Sequence, residues 1–384
     1  MARRLYLFLC LALLFLEYVP PEPEVPLSIP VTGPALAPPP EPVQVTIAAV
    51  GDIMMHTPQI TAAYDPDRNT HDFLPAFQYV RPYLADADLT LGNLETPQAG
   101  PARGYPGYPR FNAPDELAPN LKETGFDVII TANNHALDQG AEGVAKTIAT
   151  LEAAGLHPVG TARSAAEKDE ITIEEVKGLR VAVLAYTYGT NGLPLPKDQP
   201  YLVNLLDKER VTQDVTRARA AGADIVLVYL HFGQEYAREP GPEEQQLAAE
   251  IAAAGADIIL GSHPHVLQRG ERLGETREKV IIYSLGNFIS AQKGLYRQIG
   301  AIWKIHLEQD PSSQAVTIRR LTYLPTYTCR YREAGRLKFT VIPLQTAVDA
   351  TYPSPCQIQD RQPLMQAWHE LNGTLGKLGD LEEQ

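Results

Sequence analysis

The sequence predicts an α/β fold that delivers polar side chains to one edge, and three observations predict it. One unit recurs three times. A helix ends in Gly, an Asp follows two residues later, an apolar strand runs, and amide or imidazole groups close it. The copies are Gly125-Phe126-Asp127 leading to Asn133-Asn134-His135, Gly222-Ala223-Asp224 leading to His231, and Gly255-Ala256-Asp257 leading to His263-Pro264-His265. The stretches before each Gly (Pro114 to Thr124, Asp207 to Ala221, Glu243 to Ala254) are built from good helix formers, and Gly suits a helix C-terminus because it tolerates the left-handed conformation. The strands between, such as Ile258-Ile259-Leu260, are short unbroken apolar runs, the pattern of strands buried on both faces.

In chain order, Met1 to Arg4 carries two arginines and Leu5 to Leu16 is almost uninterruptedly apolar, with Cys10 as a buried small residue. This is the layout of a secretory signal, short of the about 20 residues of a spanning helix. Glu17-Tyr18-Val19-Pro20 follows in place of an A-x-A cleavage site, which favours a retained anchor over a removed signal. Residues 1–20 are therefore read as signal or anchor, with everything beyond outside the cytoplasm. Residues 21–43 are dense in proline and form an extended spacer. A folded domain is expected over 44–308 and a small β/α extension over 309–384. In the extension, Ala315 to Tyr323 and Leu337 to Pro343 read as strands and Gln362 to Leu378 as an amphipathic helix, with His306 and His369 structural or on the surface. In an oxidising compartment Cys329 and Cys356 suit a disulfide.

Within the domain, Val45 to Val50 reads as a strand ending in Gly51-Asp52, with His56 close behind. His71 to Leu84 fits a helix, and Asp88 to Leu91 a strand ending in Gly92-Asn93-Leu94-Glu95. Thr96 to Pro114 is a long Gly/Pro loop of the kind that carries function. Its Arg103, Tyr105, Tyr108 and Arg110 are candidates to touch an anionic substrate. Val181 to Thr187 and Lys279 to Ser284 are further strands, and Gly189 to Pro200 a second Gly/Pro loop.

The chain has 384 residues, 44% of them hydrophobic, enough for a sizeable core. Its formal net charge of -13 argues against a nucleic-acid partner and suits metal cations better than polyanions. Asp52, His56, Asn93, Glu95, Asn133, Asn134, His135, Asp138, His231, Glu235, His263 and His265 collect at strand ends, five of the nine histidines among them. Ligands in open α/β sheets gather beyond the carboxyl ends of strands. Carboxylate, imidazole and amide oxygen together suit hard or borderline divalent metals, and the absence of a thiolate excludes a Cys-type zinc site. The two rings of His263 and His265 can serve one metal or two neighbouring ones, and Pro264 biases His263 toward an extended backbone. The expected cofactor is one or two divalent ions (Mn, Zn or Fe). A dinuclear centre would acidify a bridging water, with a spare imidazole beside it as general acid.

The segments Gly51-Asp52, Gly92-Asn93-Leu94-Glu95, Asn133-Asn134-His135-Ala136-Leu137-Asp138, His231-Phe232-Gly233-Gln234-Glu235-Tyr236, Gly261-Ser262-His263-Pro264-His265 and Ser284-Leu285-Gly286-Asn287-Phe288, in this order, resemble the CapA family, also called PgsA, of poly-γ-glutamate capsule biosynthesis. That family looks like the calcineurin-type metallophosphoesterases. The resemblance implies a four-layer αββα sandwich with a dinuclear centre and a small C-terminal extension. It implies that Asp52 and His265 hold the first metal, Glu95 bridges, Asn134, His231 and His263 hold the second, and His135 is the catalytic acid. His56, Asn93, Asp138 and Glu235 are possible additions. This chain departs from the Asp-x-His pattern at the first motif, where Met54 stands in the place of the histidine, and Asn93 stands where the phosphoesterases have aspartate. The implied function is a membrane-anchored capsule or poly-γ-glutamate protein with a metal-dependent hydrolase or transferase site for γ-glutamyl or cell-envelope bonds. Its partners would be that polymer and membrane synthase subunits. A metal-dependent phosphoesterase or nucleotidase, and a non-catalytic accessory subunit that binds polymer, are the alternatives.

Overall fold

Nine strands hydrogen-bond into one sheet and six into another among the described residues. The computed structural model describes residues 20, 41–274, 278–349, 356, 358 and 360–382. The apolar leader and the spacer up to residue 40 lie outside these, Pro20 apart.

The first sheet runs in the order Arg336–Pro343, Val316–Glu333, Ile299–Gln309, Val43–Ile53, Leu89–Leu94, Val128–Ile130, His157–Val159. From Val43–Ile53 onward its neighbours are parallel. In the second sheet Lys279–Ile282, Ile258–Ser262, Ile225–His231 and Leu179–Thr187 are parallel, with antiparallel edge strands Gly270–Leu273 and Thr172–Val176. Strand alternation separates the layers. Ile47, Ala49, Leu91 and Val128 of the first sheet pack against Val181, Val183, Leu227 and Leu260 of the second. Ala48, Val50 and Ile129 point the other way, onto Phe77, Leu84, Leu121 and Leu151. Val226, Val228 and Ile259 meet Val211, Val215 and Ile251 of the helices Lys208–Ala220 and Pro242–Ala253. The result is the αββα order the resemblance implies.

The recurring Gly and Asp now have structural reasons. Gly125, Gly222 and Gly255 take φ of +114°, +85° and +119°, the left-handed turn that ends each helix. Each Asp then brackets one residue of the neighbouring strand. Asp127 donates its N–H to Thr90 O (2.9 Å) and accepts Thr90 N–H on Oδ2 (3.0 Å). Asp224 does the same to Arg180 (2.8 and 2.8 Å), Asp257 to Val226 (3.0 and 2.7 Å), and Asp88 to Thr46 (2.9 and 2.9 Å).

Four segments differ from expectation. His71 to Leu84 is two short helices, Leu74–Phe77 and Arg81–Ala85, preceded by a two-residue strand Thr70–His71. Pro75 and Pro82 explain it, because each can start a helix but removes the hydrogen bond needed to continue one. The strand Ala315 to Tyr323 runs on to Glu333. Pro325 is tolerated there because it lies past the end of Arg336–Pro343, whose pairing stops at Thr326. Ile299–Gln309 was not read as a strand, although Ile299, Ala301, Trp303, Ile305 and Leu307 alternate into the core between the sheets. Helix Gly140–Ala153 was also unread. Cys329 and Cys356 are disulfide-bonded, with Cα atoms 5.9 Å apart.

An Asp224→Ala chain loses a bracket whose charged acceptor contributes about 1.5–3 kcal/mol. We expect chemical denaturation to show a loss of that size.

Candidate metal centre

Every candidate ligand sits on or just past the carboxyl end of a parallel strand. Asp52 lies near the end of Val43–Ile53, Glu95 follows Leu89–Leu94, Asn134 follows Val128–Ile130, His231 ends Ile225–His231, and His263 and His265 follow Ile258–Ser262. Two glycines permit the close approach of backbone that this requires. A Cβ on Gly51 would lie 1.8 Å from Gly286 O, and one on Gly261 would lie 1.9 Å from Tyr283 O. His263 is not extended as Pro264 would favour. Its φ is +97°, and that of His265 is +59°. The chain must turn sharply at Ser262 to aim both rings inward, and the packed surroundings sustain the strain.

Three groups of side chains place ligand atoms within 4.8 Å of one another: Glu95, His231 and His263; Asp52, Glu95 and His265; and Glu235, His263 and His265. Glu95 belongs to the first two. Its Oε1 lies 3.7 Å from His231 Nε2 and 3.7 Å from His265 Nε2. It is fully buried, and this oxygen has no hydrogen-bond partner. His263 Nδ1 is buried and unpartnered too. Orphaned atoms of these two kinds in one place fit a divalent cation, since buried polar atoms otherwise find partners.

The surrounding hydrogen bonds fix the rings. Asp52 Oδ2 lies 2.9 Å from His265 Nδ1, so the ring donates there and turns Nε2 toward Glu95. Asn93 donates to Asp52 Oδ1 (2.8 Å) and approaches Glu95 Oε2 (3.5 Å) and His231 Nδ1 (3.3 Å). It thus ties the candidate ligands to one another. His231 Nδ1 also meets Ser262 Oγ (2.8 Å), and its Nε2 meets Asn134 Oδ1 (3.0 Å). Asn133 donates to Asn93 Oδ1 (3.1 Å). Beside the centre, His135 Nδ1 donates to Asp138 Oδ2 (2.8 Å), which leaves Nε2 as the ring nitrogen facing away from Asp138.

His56 stands apart from the three groups. Its Nδ1 accepts Ala291 N–H (3.4 Å) and its ring packs edge-on to Phe111. Met54 is buried near Ser290 and supplies no hard donor. Arg103 and Arg110 line a cavity that also touches Asp138. Sequence reasoning missed Asn191, whose Oδ1 accepts from Asn134 Nδ2 (3.1 Å) and whose amide lies 3.4 Å from His135 Nε2. It also missed Tyr188, half-exposed and tilted over His263 at 4.6 Å. Tyr188 is the first residue past Leu179–Thr187, so the strand-end rule applied to aromatic residues would have found it.

Burial, then the nearby His265, brings the His263 ring down to about 4. Burial and then His263 push His231 well below its ordinary value. Burial brings His56 to about 4. Burial and then the Asp52 charge push Glu95 well above the carboxylate range. Burial also works to raise Asp52, but its hydrogen bond and attraction to His265 outweigh this and hold it low. Neutral imidazoles are the form that binds metal.

With this geometry in hand, the comparison with known families is decisive. The model of the bacterial capsule synthesis protein PGA_cap matches residues 46–292. The chain belongs to that family. Two relatives are the "Capsule biosynthesis protein CapA" of Bacillus anthracis, 33% identical over 277 residues (70% of this chain, 65% of that one), and the "PGA biosynthesis protein CapA" of Bacillus subtilis (strain 168), 34% identical over 271 residues (68% and 67%). The match thus spans just under two thirds of the length of the first. Among solved structures, the PGA_cap chain is similar to the calcineurin-like phosphoesterase YfkN from Bacillus subtilis, with a TM-score of 0.44 and 14% identity over 86% of this chain and 98% of that one.

Two outcomes are expected. Metal titration followed by calorimetry shows one tighter site (Glu95, His231, His263, with Asn134) and one weaker (Asp52, Glu95, His265), and His263→Ala removes the tighter. The metal-free chain also loses thermal stability as pH falls from 6.5 toward 4. In that window the unfolded His263 binds a proton that the folded ring refuses until about 4. The melting temperature against pH checks this, and His263→Gln flattens the decline.

Proposed function

We propose that this PGA_cap chain serves capsule or poly-γ-glutamate synthesis or export as a metal-dependent hydrolase or transferase acting on γ-glutamyl or related cell-envelope bonds. The observation that carries the proposal is Glu95, a fully buried carboxylate shared by two ligand groups with one oxygen left unpaired. Such an atom costs stability unless a cation meets it. Glu95, His231, His263 and Asn134 would hold one ion, and Asp52, Glu95 and His265 a second. A divalent ion, when bound, supplies Lewis acidity and an acidified water. The chain's own residues do the rest. Asp138 holds the His135 ring so that Nε2 can give a proton to a leaving group. Tyr188 and Tyr236, both partly exposed beside His263 and His265, wall the approach to the ligands.

The proposal places the domain outside the cytoplasm on an amino-terminal anchor, beside membrane synthase subunits. The run Leu5 to Leu16 supports this, and so does the Cys329–Cys356 disulfide, since such bonds persist in oxidising compartments.

Purified full chain, loaded with Mn, Zn or Fe in turn, should cleave γ-linked glutamate oligomers. Glu95→Gln should lower the rate by at least about a hundredfold, in the range of lost transition-state electrostatics. Cleavage of simple phosphate esters with none of γ-glutamyl oligomers would sink the substrate assignment.

A further inference from the structure

A cavity of 450 Å³ opens beside the metal centre, lined by Arg103, Arg110, Leu137, Gln139, Leu193 and Pro196 among others. Its two arginines differ. Arg103 is held by Glu142, Nη2 to Oε2 at 2.5 Å. Among the described residues, no side chain pairs with Arg110. The backbone next to it is fixed. Phe111 donates its N–H to Asp138 Oδ2 (2.8 Å), accepts from Gln139 Nε2 on its carbonyl (2.8 Å), and sets its ring 4.7 Å from that of His135. The backbone next to Arg110 is therefore anchored beside the His135–Asp138 pair. Asp138 Oδ2, taking N–H groups from both Phe111 and His135, is already satisfied. Leu137, Leu193 and Pro196 add apolar side chains to a lining that also holds Asp138 and Gln139.

An unpaired guanidinium in one cavity with apolar side chains can recognise a carboxylate carried on a short methylene chain. We propose that this cavity is the carboxylate subsite of the enzyme. Arg110 takes the free carboxylate of a γ-linked glutamyl unit, and Leu137, Leu193 and Pro196 cover its methylenes, so that the neighbouring amide lies toward His135. The assignment rests on the γ-glutamyl reading above. It also explains how a chain of net charge -13 accepts a polyanion, because local positive charge steers the ligand where the global charge repels it.

The test is calorimetric titration of the metal-loaded full chain in detergent with a short γ-linked glutamate oligomer. Arg110→Gln should weaken binding about tenfold or more with metal content unchanged, as expected for losing one charged hydrogen-bonded pair. Arg110→Lys should recover part of the loss. Glu142→Gln, which frees Arg103, should tighten binding. Equal affinity of wild type and Arg110→Gln for the oligomer overturns the subsite and leaves the γ-glutamyl reading standing. If the oligomer binds neither, while inorganic phosphate binds wild type and not Arg110→Gln, both are overturned.

Discussion

Four aspartates, Asp88, Asp127, Asp224 and Asp257, each bracket a single residue of the adjacent parallel strand through an N–H donated and an N–H accepted. Everything at the centre depends on these brackets. In a parallel sheet a slip of one residue turns every side chain to the opposite face. Here it would carry Glu95, His231 and the turn after Ser262 away from their common point. Because the brackets sit where strands begin, they set where strands end, and the ligands are aligned by groups a full strand length away.

The same alignment concentrates unfavourable electrostatics. Asp52 and Glu95 are fully buried close together, and His231 and His263 are held in the neutral form. His263 adds a left-handed backbone. Strain and unpaired polarity of this kind survive only where surrounding structure over-determines them. The surroundings do: Asn93 ties Asp52 to the Glu95 and His231 side, while Ser262 and Asn134 hold the two nitrogens of His231. The site is held in place by its own hydrogen bonds.

Much of this was legible in the chain itself. The Gly-x-Asp punctuation marked three strand starts, and unbroken apolar runs marked strands buried on both faces. Other parts were not. His71 to Leu84 has helical composition, but Pro75 and Pro82 divide it. The Ile299–Gln309 strand alternates clearly, yet a single Gly and a buried Lys304 disguise it. Tyr188 is marked only by its place just past a strand end, and Asn191 carries no signal of its own, because its importance comes from the groups it meets across the fold.

The sequence by itself determined the α/β class and the polarity of the site, because apolar periodicity and helix-ending glycines are local properties, while the layer order was implied only by the family resemblance. It also supplied the inventory of carboxylate, amide and imidazole donors. Only the tertiary structure decided how they divide. It gave Glu95 to two candidate ligand groups, used Asn93 and Asp138 to orient their neighbours, left His56 against Phe111, and tied Arg103 to Glu142 while leaving Arg110 unpaired among the described residues. The physical reason is that a donor's role follows from which partners reach its second atom, and those partners lie on other strands and loops far away in sequence.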